Sequence, residues 1–295
     1  MVLRTPDSRF AALPDFPYAP AYADVGGPRM AYVSAGPADG PVALLLHGEP
    51  TWSFLYRKVL PVLAAAGIRA VAPDLVGFGR SDKPAAAAHS YAAHVEWVRA
   101  LAFDALDLRD VTVVGQDWGG LIGLRLAAEH PSRVARIVAA NTGLPTGEHG
   151  MPDVWWQFRR AVESAPTLDI GRFVQAGCRT RLSDAERAAY DAPFPDESYK
   201  VAPRTMPGLV PVTLEDPASA ANLAAWEVLR SWEKPCLVAF SDGDPITGPM
   251  APLLLAGIPG AKGRAHPVIE NAGHFLQEDA GVRLGAEIAN FMLSD

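Results

Sequence analysis

Three side chains of complementary chemistry each fall just after a short apolar run. Asp117 follows VTVVGQ within GQDWGG, Asp244 follows PCLVAF within SDGDPITG, and His274 closes HPVIENAGH. An aspartate can attack as a nucleophile, a histidine can activate water, and a second acid can orient the imidazole and balance its charge. Each also has a plainer use: Asp117 as a helix cap, Asp244 or its neighbour Asp242 as a turn residue, His274 as a surface or capping residue. Nucleophile, then acid, then histidine is, however, a known chain order for such groups at the ends of parallel strands. Three matches in that order outweigh three separate structural explanations.

The glycines around Asp117 permit a tight strand-to-helix turn with the carboxylate at its apex. Where such a turn carries a serine, the hydroxyl attacks a carbonyl. A carboxylate suits displacement at a saturated carbon instead, because it is charged at neutral pH and yields an ester on the enzyme. Hydrolysis of that ester creates an oxyanion, which needs fixed backbone N–H donors. The expected donors are the amides of Trp118, next to the nucleophile, and of Glu49 in HGEP, directly after VALLL. His47 is expected to brace that loop. Two leaving groups fit. A halide needs only weak donors in an apolar pocket, such as the indole N–H groups of Trp118 and of the Trp155–Trp156 pair. An epoxide oxygen needs a proton donor, for which Tyr190 and Tyr199 are the candidates. The tryptophans favour halide.

The elements that must position these groups are legible as alternating runs. Strands are expected at 42–48, 68–75, 111–117, 136–142, 235–242 and 266–274, near-continuously apolar as in a sheet covered on both faces. Helices are expected at about 54–66, 90–107, 118–130 and 279–292, and AYADVGG with RMAYVSAG forms an edge hairpin. The class is α/β with a mostly parallel sheet. Between Thr142 and Pro235 no strand is evident, only helix-period pieces at 153–162, 168–177 and 221–230 and a Ser183–Glu186 capping box. The expected division is a core of 1–143 and 231–295 with a helical cap, 144–230, inserted after the sixth strand over the C-terminal strand ends.

The 295 residues carry a formal charge of −7 and are 49% hydrophobic, a composition that disfavours nucleic acid as a partner. The two cysteines, Cys178 and Cys236, have no metal-ligand spacing, and Cys236 is expected to pack as a small apolar residue. The charged, proline-bearing start and the lack of a long apolar run point to a cytoplasmic chain with no membrane contact. Neither metal nor cofactor is expected, and a monomer is the default.

The segments HGEPTWSFLYRKVLP, PDLVGFGRSDKP, GQDWGGLIGL and NAGHFLQED together resemble haloalkane dehalogenases of the α/β-hydrolase superfamily. RTPDSRF and APFPDESY extend the likeness over nearly the whole chain, weakening mainly at 144–180 and 208–235. The resemblance implies the α/β-hydrolase fold and hydrolysis of small haloalkanes to a primary alcohol and halide. It implies Asp117 as nucleophile, His274 as base, Asp244 as acid partner, and Trp118 with Trp156 as halide ligands. Some relatives place the acid one strand earlier and bind halide with an asparagine in the HGxP loop. Asn141 and Glu49 stand at those positions here, which strengthens Asp244. An epoxide hydrolase with the same triad, and a non-catalytic receptor on the same fold, are the alternatives.

Overall fold

The computed structural model describes residues 2–294. Among the described residues nine strands run in chain order: β1 (Ala21–Asp24), β2 (Arg29–Ala35), β3 (Val42–Leu46), β4 (Arg69–Pro73), β5 (Val111–Gln116), β6 (Val134–Ala140), β7 (Cys236–Val238), β8 (Phe240–Ser241) and β9 (Val268–Ile269). The first seven form one sheet in the order β1-β2-β4-β3-β5-β6-β7. β1 and β2 pair antiparallel, as do β2 and β4, and every other neighbour in the sheet is parallel. The edge hairpin is where the sequence places it. Every residue of β5 is buried, so its run of apolar residues reflects helices on both faces.

The core helices are α1 (Leu60–Ala65), α2 (Tyr91–Arg99), α3 (Trp118–Glu129), α9 (Ala251–Gly257) and α10 (Leu276–Leu293). Between β6 and β7 the chain passes instead through α4 (Asp153–Ser164), α5 (Ile170–Ala176), α6 (Asp184–Asp191), α7 (Val201–Thr205) and α8 (Ser219–Leu229). The Ser183–Glu186 capping box is formed at the start of α6. This is an α/β-hydrolase architecture with a helical insertion after the sixth strand.

Several expected elements are shorter than the sequence suggests. The run at 235–242 is broken at Ala239, whose amide still bonds the Ala139 carbonyl at 2.9 Å. The run at 266–274 keeps only β9, paired parallel with β8 in a separate two-stranded sheet. Pro267 has no N–H to donate, and Asn271 turns the chain with φ +58°. The helix expected at 54–66 splits into a 3-10 turn at Ser53–Tyr56 and α1, with Pro61 in the first turn of α1. The segment after α2 winds as a π-helix over Ala100–Ala105.

β3 lies between β4 and β5, so successive connections leave it in opposite directions. In an open α/β sheet a crevice forms at the carboxyl ends of such strands. The HGEP loop leaves β3 there, and Asp117 leaves β5 beside it.

Candidate active site

The turn at Asp117 is held open against its own backbone preference. Asp117 adopts φ +51° and ψ −126°, a conformation that costs a non-glycine residue about 1–3 kcal/mol. Its amide donates to the Asn141 carbonyl at 3.0 Å, and its carbonyl accepts from Thr142 Oγ1 at 2.7 Å. The Gly120 and Leu121 amides add two more bonds to that carbonyl. The glycines let the turn press against its neighbours: a Cβ on Gly119 would strike the Leu46 carbonyl, and one on Gly48 would strike the Asp117 side chain.

The carboxylate is thereby delivered to a fixed position. The Glu49 amide donates to Asp117 Oδ1 at 2.8 Å, while Asp117 Oδ2 lies 3.6 Å from His274 Nε2. On the far side of the ring, His274 Nδ1 meets Asp244 Oδ2 at 2.9 Å. Asp244 also accepts from the Ile246 amide at 2.9 Å and from the Thr247 hydroxyl. Burial opposes its charge, but the adjacent His274 and these donors prevail and hold the carboxyl at about 2. Burial likewise opposes a charged His274. Asp244 and Asp117 outweigh it and raise the imidazole to about 10. The competing Asp242 instead accepts from the Ala272 amide at 3.2 Å, which is turn work.

Glu49 offers its amide to Asp117 as expected. Its side chain is buried beside Asp117, and burial together with that neighbouring charge pushes its carboxyl well above the usual range. The Trp118 amide begins α3 and makes no hydrogen bond among the described residues, so it remains open at the helix N-terminus. His47 braces the loop from inside. One ring nitrogen bonds the Gly48 carbonyl at 2.9 Å and the other accepts from the Leu75 amide at 2.8 Å.

Asp117, His274, Glu49 and Trp118 open onto a cavity of about 600 Å³. Its walls are mostly apolar, with Leu121, Val154, Phe158, Phe173, Ile246 and Phe275 among them. The tryptophan that α4 contributes is Trp155, not Trp156. A helix turns about 100° per residue. Position 156 therefore lies opposite the face that carries Val154, Phe158 and Ala161 to the cavity. Trp156 packs edge-on against Trp155, at 4.9 Å between ring centroids, under the Arg159 guanidinium. The Trp52 and Trp226 indoles donate to backbone carbonyls, whereas those of Trp118 and Trp155 donate to no protein acceptor among the described residues.

The tyrosines required by an epoxide reaction lie elsewhere. Tyr190 is fully buried with its hydroxyl on Glu278, and neither it nor Tyr199 lines the cavity. Two residues unassigned by sequence reasoning do reach the site. Asn141 Nδ2 bonds Ser241 Oγ and the Gly273 and His274 carbonyls at 2.9–3.0 Å, tying β6 to the histidine loop. Gln116, adjacent to Asp117 in the motif, is fully buried against His274. Nothing in its sequence position signals that contact.

A family profile described as the alpha/beta hydrolase fold matches residues 41–281, which sets the class of the chain. Haloalkane dehalogenase of Psychrobacter cryohalolentis is 49% identical, over 99% of this chain and 98% of that protein. Haloalkane dehalogenase 1 of Mycobacterium tuberculosis is 51% identical over 99% and 98%. Among solved structures, the tetrameric haloalkane dehalogenase of Paraglaciecola agarilytica covers all of both chains at 36% identity and a TM-score of 0.91. The chain belongs to the haloalkane dehalogenase family of the α/β-hydrolase superfamily.

Proposed function

We propose that this enzyme hydrolyses the carbon–halogen bond of haloalkanes through an ester on Asp117. The Asp117 carboxylate attacks the carbon bearing the halogen, forming a C–O bond as the C–X bond breaks and the halide leaves with the bonding pair. The Trp118 and Trp155 indole N–H groups receive the halide, since a donor with no lone pair suits an anion. Water then attacks the Asp117 acyl carbon while His274 Nε2 takes its proton and Asp244 balances the imidazolium. The oxyanion falls to the Glu49 and Trp118 amides. Collapse expels the alcohol, protonated by His274, and the remaining proton goes to solvent.

The observation that carries this reading is a carboxylate between a backbone donor and a histidine, opening onto a mostly apolar cavity that Trp118 and Trp155 line. The absence of tyrosine from that cavity among the described residues weighs against epoxide opening. Residues 144–230 we read as a cap that closes the cavity. We read the chain as acting as a monomer, its triad and cavity all coming from one chain. The test pairs 1-bromobutane with styrene oxide. Sustained bromide release with little diol is expected; diol without bromide would move the chemistry to epoxides, and a single stoichiometric capture would favour a receptor.

A further inference from the structure

Gln116 ends β5 and is fully buried. Its Nε2 lies 3.2 Å from the His274 carbonyl oxygen and 3.1 Å from His274 Nε2. A carbonyl oxygen can only accept, so the NH2 end of the amide must be the end turned this way. Reversing the amide would set Oε1 against that carbonyl. It would also put the NH2 where Oε1 now finds no partner among the described residues. The amide therefore presents a donor to the ring nitrogen as well.

His274 Nδ1 faces the Asp244 carboxylate and keeps its proton throughout, so Nε2 is the atom whose protonation changes. In the neutral ring, Nε2 offers a lone pair to the Gln116 N–H. In the charged ring, two donors oppose each other, and the nearby acceptor left for Nε2–H is Asp117 Oδ2 at 3.6 Å. Three acidic groups face His274 from the packed elements: Asp117 from the elbow, Asp244 from the loop after β8, and Glu49 from the loop after β3. The edge-on Phe275 ring supplies no charge. Before alkylation, Asp117 and Asp244 favour the imidazolium. Esterification removes the charge on Asp117, while the Gln116 donor stays in place.

We propose that Gln116 is a positioning residue for the second half-reaction, its amide favouring the unprotonated form of His274 Nε2 once Asp117 is esterified. This rests on the ester mechanism above. The first step needs a carboxylate and tolerates an imidazolium; the second needs a base. A fixed amide donor penalises the imidazolium most where the anionic acceptor has gone.

The test is rapid mixing with 1-bromobutane at several pH values, following bromide release and the mass of the Asp117 peptide. Wild type should show a fast bromide phase and an ester that decays faster as pH rises. A carboxylate in place of the amide would accept from Nε2–H, so Gln116→Glu should keep the fast phase but shift the decay midpoint up by about one pH unit. At pH values below both midpoints that slows decay about tenfold. Gln116→Met removes the donor without adding an acceptor and should shift the midpoint up by less. If Gln116→Glu does not fold, the Gln116→Met midpoint decides. Unchanged midpoints, with the ester present in wild type, would overturn the role of Gln116 alone. No ester on wild-type Asp117 would overturn the mechanism and the proposal with it.

Discussion

Asp117 and Trp155 face one cavity from supports of different kinds. Asp117 stands on a buried parallel strand, and five hydrogen bonds to its amide, carbonyl and carboxylate fix the turn. Trp155 stands on α4, whose last turn is held by Arg204 of α7, bonded to the Val162 and Ala165 carbonyls. A second contrast lies within the insertion itself. Among the described residues, α6 is hydrogen-bonded directly to the core, whereas α4 meets it through packing. Trp52 Nε1 donates to the Ala189 carbonyl at 3.1 Å, and Arg57 bridges Glu186 and Glu278. The Asp117 carboxylate thus rests on covalent geometry and sheet register, while the proposed halide side depends on the phase of one helix.

Substitutions can break or sharpen that contrast. Asp117→Ala should remove turnover by on the order of 10⁴-fold or more, as loss of a covalent nucleophile does elsewhere. Substantial steady-state bromide release by that variant would dismiss Asp117 as nucleophile. His274→Gln should spare the first step and stall the second, leaving an alkyl group on Asp117 visible by mass spectrometry. Substrate consumed with no adduct would place the base elsewhere.

The pH dependence has a definite sign. Asp244 and Asp117 together hold the resting imidazole at about 10. Esterification removes the Asp117 charge, so the imidazole of the ester should titrate below that value and act as a base above its new midpoint. Ester decay in wild type should therefore rise with pH through a midpoint below 10, and a midpoint at or above it would contradict the coupling.

On the α4 side, Trp155→Phe should weaken halide binding about tenfold, worth roughly 1.4 kcal/mol. Trp156→Phe should leave it close to wild type. Quenching of tryptophan fluorescence by bromide separates the two, and the reverse pattern would mean that α4 is rotated. The smallest effect on turnover is expected for Tyr190→Phe, which leaves Glu278 short of one donor. Urea denaturation should show a loss of about 1–3 kcal/mol, and an activity collapse with folding intact would tie Tyr190 to the chemistry after all.

Much of this was legible from local pattern. GQDWGG, with a strand before it and a helix after it, specifies a carboxylate at the apex of a tight turn. HGEP after VALLL places a loop beside it, because strands buried on both faces read as unbroken apolar runs. The order of Asp117, Asp244 and His274 pointed to the candidate triad from the chain alone, while Asn141 strengthened Asp244 only through the resemblance to the family. Where local pattern was weak, expectation and structure parted. Pro267 and Asn271 cut the final strand run short around its apolar centre, Val268–Ile269.

The sequence by itself determined the fold class, the chain order of the candidate reacting groups and their seats at strand ends, since period and turn chemistry are local properties. Tertiary structure decided which neighbouring side chain faces the cavity. Adjacent helical positions differ by about 100°, so Trp155 and Trp156 look equivalent in the chain until α4 is docked. It also decided that Tyr190 is spent on Glu278 and that Gln116 reaches His274 across 158 positions of sequence. Contacts between elements so far apart in the chain leave no mark in either segment, because they depend on how the sheet brings β5 beside the histidine loop.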